Sequence, residues 1–146
     1  MVDWLNSAYD EATLKEASRS FSLSGNLQLL SFLSQKGLDQ FRKLKFERAY
    51  EPTKHSYAVA KPPAFTESGE FLKILQSIVG KSKISSLACF RFSKGDYTVL
   101  YDALMPGRGV AFFLDIDDCD ESWGGYTSFM KKEEVFRVVP KRNSLA

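Results

Sequence analysis

Histidine is nearly missing from this chain: His55 is the single copy in 146 residues. A centre that needs two imidazoles therefore cannot be assembled within one copy. Cysteine is scarce too. Cys89 and Cys119 stand far apart and outside any Cys-x-x-Cys pair, which excludes a disulfide framework or a zinc knuckle. No apolar run approaches the ~18 residues of a spanning helix. The opening, Met-Val-Asp-Trp-Leu-Asn-Ser, has neither the basic start nor the apolar core of a secretion signal. The expectation is a cytoplasmic protein with free thiols and no membrane contact. Charge of one sign is lacking as well. With 20 Lys and Arg against 18 Asp and Glu, the net charge is +2, too little to point to nucleic acid.

Apolar residues, in contrast, are plentiful. They make up 44% of the chain and include 12 Phe, which suits a folded core and one domain over 1–146. The first part, 1–80, reads as mainly helical. Asp10 is a candidate N-cap for a short helix to Ser18, and Phe21-Ser-Leu-Ser alternates like a strand that turns at Gly25-Asn26. Leu27, Leu30 and Leu33, then Leu38, Phe41 and Leu44, suggest two helices broken at Gly37. Phe41 to Arg48 mixes basic and aromatic residues and reads as a solvated helix face. Tyr50 to Gly69 holds three prolines and reads as a loop that carries His55, with a short strand over Ser56–Ala60. Phe71 to Val79 is the clearest helix, stopped by Gly80.

From 84 to 146 the chain reads as strands. Ile84–Phe92, Tyr97–Asp102, Val110–Ile116, the stretch after Trp123-Gly-Gly and Val135–Val139 are short, apolar and bounded by turn residues. Val110–Ile116 has six apolar residues of seven and reads as a strand buried on both faces.

Two acidic constellations invite chemistry. Asp115-Ile-Asp117 after an apolar run has the spacing of the haloacid-dehalogenase-type phosphatases, whose nucleophile and acid sit two apart after a buried parallel strand. Asp118-Cys119 replaces that family's small turn and Thr. Read as a calcium loop from Asp115, the sixth and twelfth positions are Asp120 and Tyr126, where Gly and Glu are required. A solvated acidic turn is the simpler reading.

The whole strand-rich half carries a broader likeness. Lys94-Gly-Asp-Tyr97, the strand to Asp102, the Gly107-Arg-Gly109 turn and Val110-Ala-Phe-Phe-Leu114 come first. Asp120-Glu-Ser-Trp-Gly-Gly125, Phe136-Arg-Val-Val-Pro140 and Asn143-Ser-Leu-Ala146 follow. This order resembles the prolyl-hydroxylase type of Fe(II)/2-oxoglutarate dioxygenases. The resemblance implies an α+β fold, a double-stranded β-helix (jelly-roll-like) over 84–146 with N-terminal supporting helices. It also implies Fe(II) and 2-oxoglutarate, with Asp102 as a metal ligand and Tyr97 in the cosubstrate pocket.

The motif's Tyr-x-x-His-x-Asp then exposes a deficit. Aligned on Tyr97, the first His becomes Leu100 while Asp102 stays; shifted by one, Tyr101 and Ala103 lose both ligands. The second His and the cosubstrate Arg belong to strands beyond Ala146. The resemblance therefore implies either a degenerate relative or a chain that continues. A competent iron centre and bound cofactor are not expected in either case. The expected role is a protein-binding or assembly module, with an Fe(II)/2-oxoglutarate-dependent protein hydroxylase as the alternative. A protein or peptide partner is expected, or a homodimer through an exposed strand edge, because unpaired edges recruit strands.

Overall fold

A computed structural model describes residues 2–98, 109–120, 122, 124–130 and 133–146. Asp102, Leu100 and Trp123, all singled out by the family likeness, lie outside the described residues.

The first helix, α1 (Glu11–Ser24), is capped by Asp10, whose carboxylate accepts from the Thr13 amide at 2.8 Å. It runs six residues past the expected end and absorbs the stretch read as a strand. The alternation of serine and apolar residues misleads there. Ser22 and Ser24 donate their hydroxyls back to the carbonyls of Ser18 and Ser20, which a helix accommodates. Leu14, Ala17 and Phe21 meanwhile fall on one face and join the core. Gly25 ends the helix at φ +74.

The Leu27–Leu33 spacing does not make a helix. Leu29–Leu30 forms the short strand β1, Ser31 takes a left-handed φ of +54, and Leu33 bridges to Leu5. The cause sits far along the chain. Asn143 accepts from the Leu33 amide at 2.8 Å and donates to its carbonyl at 2.9 Å, holding this segment extended. Helix α2 (Gln35–Arg42) starts at the Ser34 cap, so Gly37 lies inside its first turn and is no break. A Cβ on Gly37 would meet the Trp4 carbonyl oxygen at 2.5 Å. The basic–aromatic run is not one helical face either. After α2 it becomes strand β2 (Glu47–Glu51), which forms a hairpin with β3 (His55–Ala60).

A 3-10 turn (Ala64–Glu67) leads to α3 (Gly69–Val79), with Ser68 as N-cap and Gly80 as stop. The remaining strands are β4 (Cys89–Arg91), β5 (Tyr97–Thr98), β6 (Leu114–Asp115), β7 (Thr127–Met130), β8 (Glu134–Val138) and β9 (Ser144–Leu145). The strand expected from Ile84 is thus confined to β4. Val110–Ile116 is strand only over β6, and Val110 is exposed, so the reading of a strand buried on both faces is corrected.

The α+β class holds. The described strands form three antiparallel sheets, β1-β9-β6, β2-β3-β4 with β5 also on β3, and β7-β8, and no closed barrel. The last strand, β9, is the middle of its sheet, so the free edges lie elsewhere. Among the described residues no helix is long and apolar enough to cross a membrane.

The core gathers Trp4, Phe32, Leu33, Phe65, Phe71, Leu75, Ile78 and Leu145. Trp4 stacks on Phe65 at 4.9 Å and meets Phe71 at 5.4 Å. Burying each such ring stabilises the fold by roughly 2–3 kcal/mol. The Ser18 hydroxyl ties α1 to α3 through the Ile78 carbonyl at 2.9 Å. Trp4 and Leu5 have no periodic context in the sequence, and only the tertiary structure reveals their place.

Candidate functional site

The hairpin β2–β3 carries the only histidine. His55 is not a loop residue: it opens β3, half-buried, opposite Thr98 of β5, with Ser56 opposite Tyr97. Its ring lies flat on Tyr57 at 4.6 Å. Tyr57 in turn takes the edges of Phe90 at 5.0 Å and Phe92 at 5.6 Å. Alternation along β3 explains the grouping. His55, Tyr57 and Val59 point to one face, while Ser56, Ala58 and Ala60 point to the other and are buried. Phe90 pairs with Val59 and so joins the aromatic side, where Phe90 and Phe92 keep 49% and 53% of their surface open.

On the opposite face Arg48 grips Asp96. The pair is 2.6 Å apart, the Asp96 side chain is almost fully covered, and both groups also meet the Ser56 hydroxyl. The Arg48 guanidinium beside Asp96 holds its carboxyl down at about 2. This pair fixes the turn Ser93–Asp96 against β3, since Asp96 also accepts from the Ser93 amide at 2.7 Å. Tyr97, the expected cosubstrate contact, donates its hydroxyl to the Pro52 carbonyl at 2.7 Å and so pins the β2–β3 turn.

A second concavity lies on the helical side. An apolar recess of about 260 Å³ opens between α1, α3, the segment 109–113 and the β7–β8 hairpin, with Phe21, Leu75, Ile78, Phe112, Phe129 and Phe136 among its walls. Phe129 and Phe136 stack at 4.4 Å across the hairpin. No titratable side chain is among its described lining residues, so those walls offer shape rather than acid–base chemistry.

Of the acidic pair, Asp115 is half-buried on β6 and Asp117 is exposed. Burial pushes the Asp115 carboxyl up to about 6, and its Oδ2 has no hydrogen-bond partner among the described residues. It stands opposite Ser144, which is fully buried and accepts from the Gln28 amide at 3.2 Å. Strand β6 pairs antiparallel with β9, unlike the parallel strand that the phosphatase arrangement requires. In the acidic Trp-Gly-Gly turn, Gly124 takes φ +75, and a Cβ on Gly125 would overlap the Cys119 sulfur. Backbone conformation thus favours glycine at 124, while a side chain at 125 would require Cys119 to move.

An iron site of the likeness needs two imidazoles and a carboxylate. The residues present do not fit it: the one imidazole is stacked on Tyr57, and among the described residues no three His, Cys, Asp or Glu side chains converge on a metal position. The chain matches no protein-family model and no curated protein.

Proposed function

We propose that this chain is a protein-binding or assembly module, built on a scaffold akin to the double-stranded β-helix of prolyl-hydroxylase-type dioxygenases but without a competent iron centre. The observation that carries the reading is where large apolar side chains meet water. Phe90 and Phe92 lie 6.5 Å apart beside Tyr57 and stand about half exposed, whereas Phe32 and Phe71 are sealed in the core. Contiguous exposed apolar surface on a folded chain marks contact with another molecule. The count of one histidine supports the absence of hydroxylase chemistry. The β7–β8 hairpin pairs with no other described strand, and its edge suits a homodimer formed by strand addition.

The test is a pair of measurements on the purified chain. Succinate formation from 2-oxoglutarate with added Fe(II) is expected to stay at background, while light scattering is expected to show association rising with concentration. Turnover that disappears in Asp102→Ala overturns the module and establishes the hydroxylase. A monodisperse monomer at millimolar concentration removes the strand-edge homodimer. Hydrolysis of a phosphomonoester abolished by Asp115→Asn instead establishes phosphatase chemistry.

A further inference from the structure

The exposed side of the β2-β3-β4 sheet is more than an uncovered apolar face, because register places carboxylates on it. Residues opposite one another in a sheet project to the same side. Glu47 stands opposite Val59, which stands opposite Phe90; Ala49 stands opposite Tyr57; and Glu51 stands opposite His55. The face is thus an aromatic strip of His55, Tyr57, Phe90 and Phe92, with a carboxylate at each end along β2. Four residues of strand separate the two carboxylates by about 13 Å.

We infer that this face is a docking surface for an extended, basic peptide that presents an apolar or proline residue between two cationic side chains. The inference rests on the protein-binding reading and names the partner's chemistry. Open aromatic rings attract guanidinium groups and the flat faces of proline. Carboxylates at the strip's ends add directional charge pairing. A polyproline-type segment rises about 3.1 Å per residue, so arginines four apart lie about 12 Å apart, close to the separation along β2. Glu51 is ion-paired to Lys54 at 2.7 Å, but the pair is solvent-exposed, and an arriving guanidinium displaces such a pair at little cost. A stacking platform of this kind also suits single-stranded RNA, yet its phosphates would meet Glu47 and Glu51. Charge favours the peptide.

The experiment titrates the full chain into a fluorescein-labelled Gly-Arg-Pro-Leu-Pro-Arg-Gly peptide and follows polarisation. Saturable binding is expected, about tenfold weaker when both arginines are glutamate and about tenfold weaker in the Phe90→Ala/Phe92→Ala chain. Glu47→Lys is expected to weaken it about fivefold, and Leu23→Ala, exposed on α1, to leave it unchanged. Amide shifts in the ¹⁵N spectrum of the unmodified protein supply a readout independent of any variant. They are expected at His55, Tyr57, Phe90 and Phe92.

Affinity unchanged in the double variant, shifts confined to another surface, or tighter binding of an oligouridylate overturns the inference. So does the absence of saturable binding to the unmodified chain. Shifts on another surface leave the protein-binding reading standing, whereas that reading falls separately, on iron-dependent turnover.

Discussion

Phe71 and Phe90 belong to one chain and meet opposite fates. Phe71 has no exposed surface and touches Trp4, Phe65 and Phe112, which come from three separate stretches of sequence. Among the described rings Phe90 leans on Tyr57 and Phe92 alone, and it keeps 49% of its surface in water. The same contrast divides their surroundings. The core draws on the N-terminal segment, the helices, the segment 112–116 and β9, and no residue of β2, β3, β4 or β5 joins it. Aromatic content alone therefore does not locate a core. What matters is whether several elements converge on a ring or a single sheet displays it. The first arrangement sets stability, and the second leaves a surface to be occupied.

Substitutions sharpen that division. The largest effect belongs to the core: Phe71→Ala is expected to cost about 3–5 kcal/mol in urea denaturation, because it leaves a cavity walled by rings. Next comes the clasp that joins the chain's two ends. Asn143→Ala removes both hydrogen bonds to Leu33 and is expected to cost about 2–3 kcal/mol. Since Asn143 sits at φ +54, Asn143→Gly separates the terms. If glycine is as damaging as alanine, the hydrogen bonds dominate; if it recovers most of the loss, the backbone conformation does.

A smaller effect has a pH signature. Burial raises Asp115 to about 6 in the folded chain, against 3.8 for the free group. Between those values the folded state holds a proton that the unfolded chain releases. The contribution of Asp115 to stability is therefore greatest below about pH 4, falls as pH rises through about 6, and then levels. After discounting for partial exposure to water, the loss is roughly 1–2 kcal/mol. Asp115→Asn is expected to abolish that slope and to raise the melting temperature at pH 7.5 by a few degrees, measured by circular dichroism across pH. An unchanged slope would place the titrating group elsewhere.

Much of the helical framework was legible in the sequence, and the reasons are local. Asp10 and Gly80 are punctuation that acts within a turn or two, so the start of α1 and most of α3 follow from the residues themselves. The strand over Ser56–Ala60, the one after the Trp123-Gly-Gly stretch and the one over Val135–Val139 follow in the same way. What escaped depends on distant partners. Leu27–Leu33 has helical spacing, but Asn143 holds it extended from the other end of the chain. Val110–Ile116 looks like a fully buried strand by composition, yet only half of it meets the core. The site was less legible than the fold. No pattern near His55 announces that Tyr57, Phe90 and Phe92 gather beside it, because β3–β4 pairing brings together residues about 30 positions apart. The alternation of β3 was the available signal, and it places His55 and Tyr57 on one side.

The division between a stabilising core and an open binding sheet is tested most directly by one variant measured twice. For Phe90→Ala/Phe92→Ala, unfolding free energy and affinity for the basic peptide are determined on the same preparation. The account predicts a stability change under about 1 kcal/mol together with a roughly tenfold loss of affinity. A loss of stability comparable to that of Phe71→Ala, with peptide affinity untouched, would contradict it.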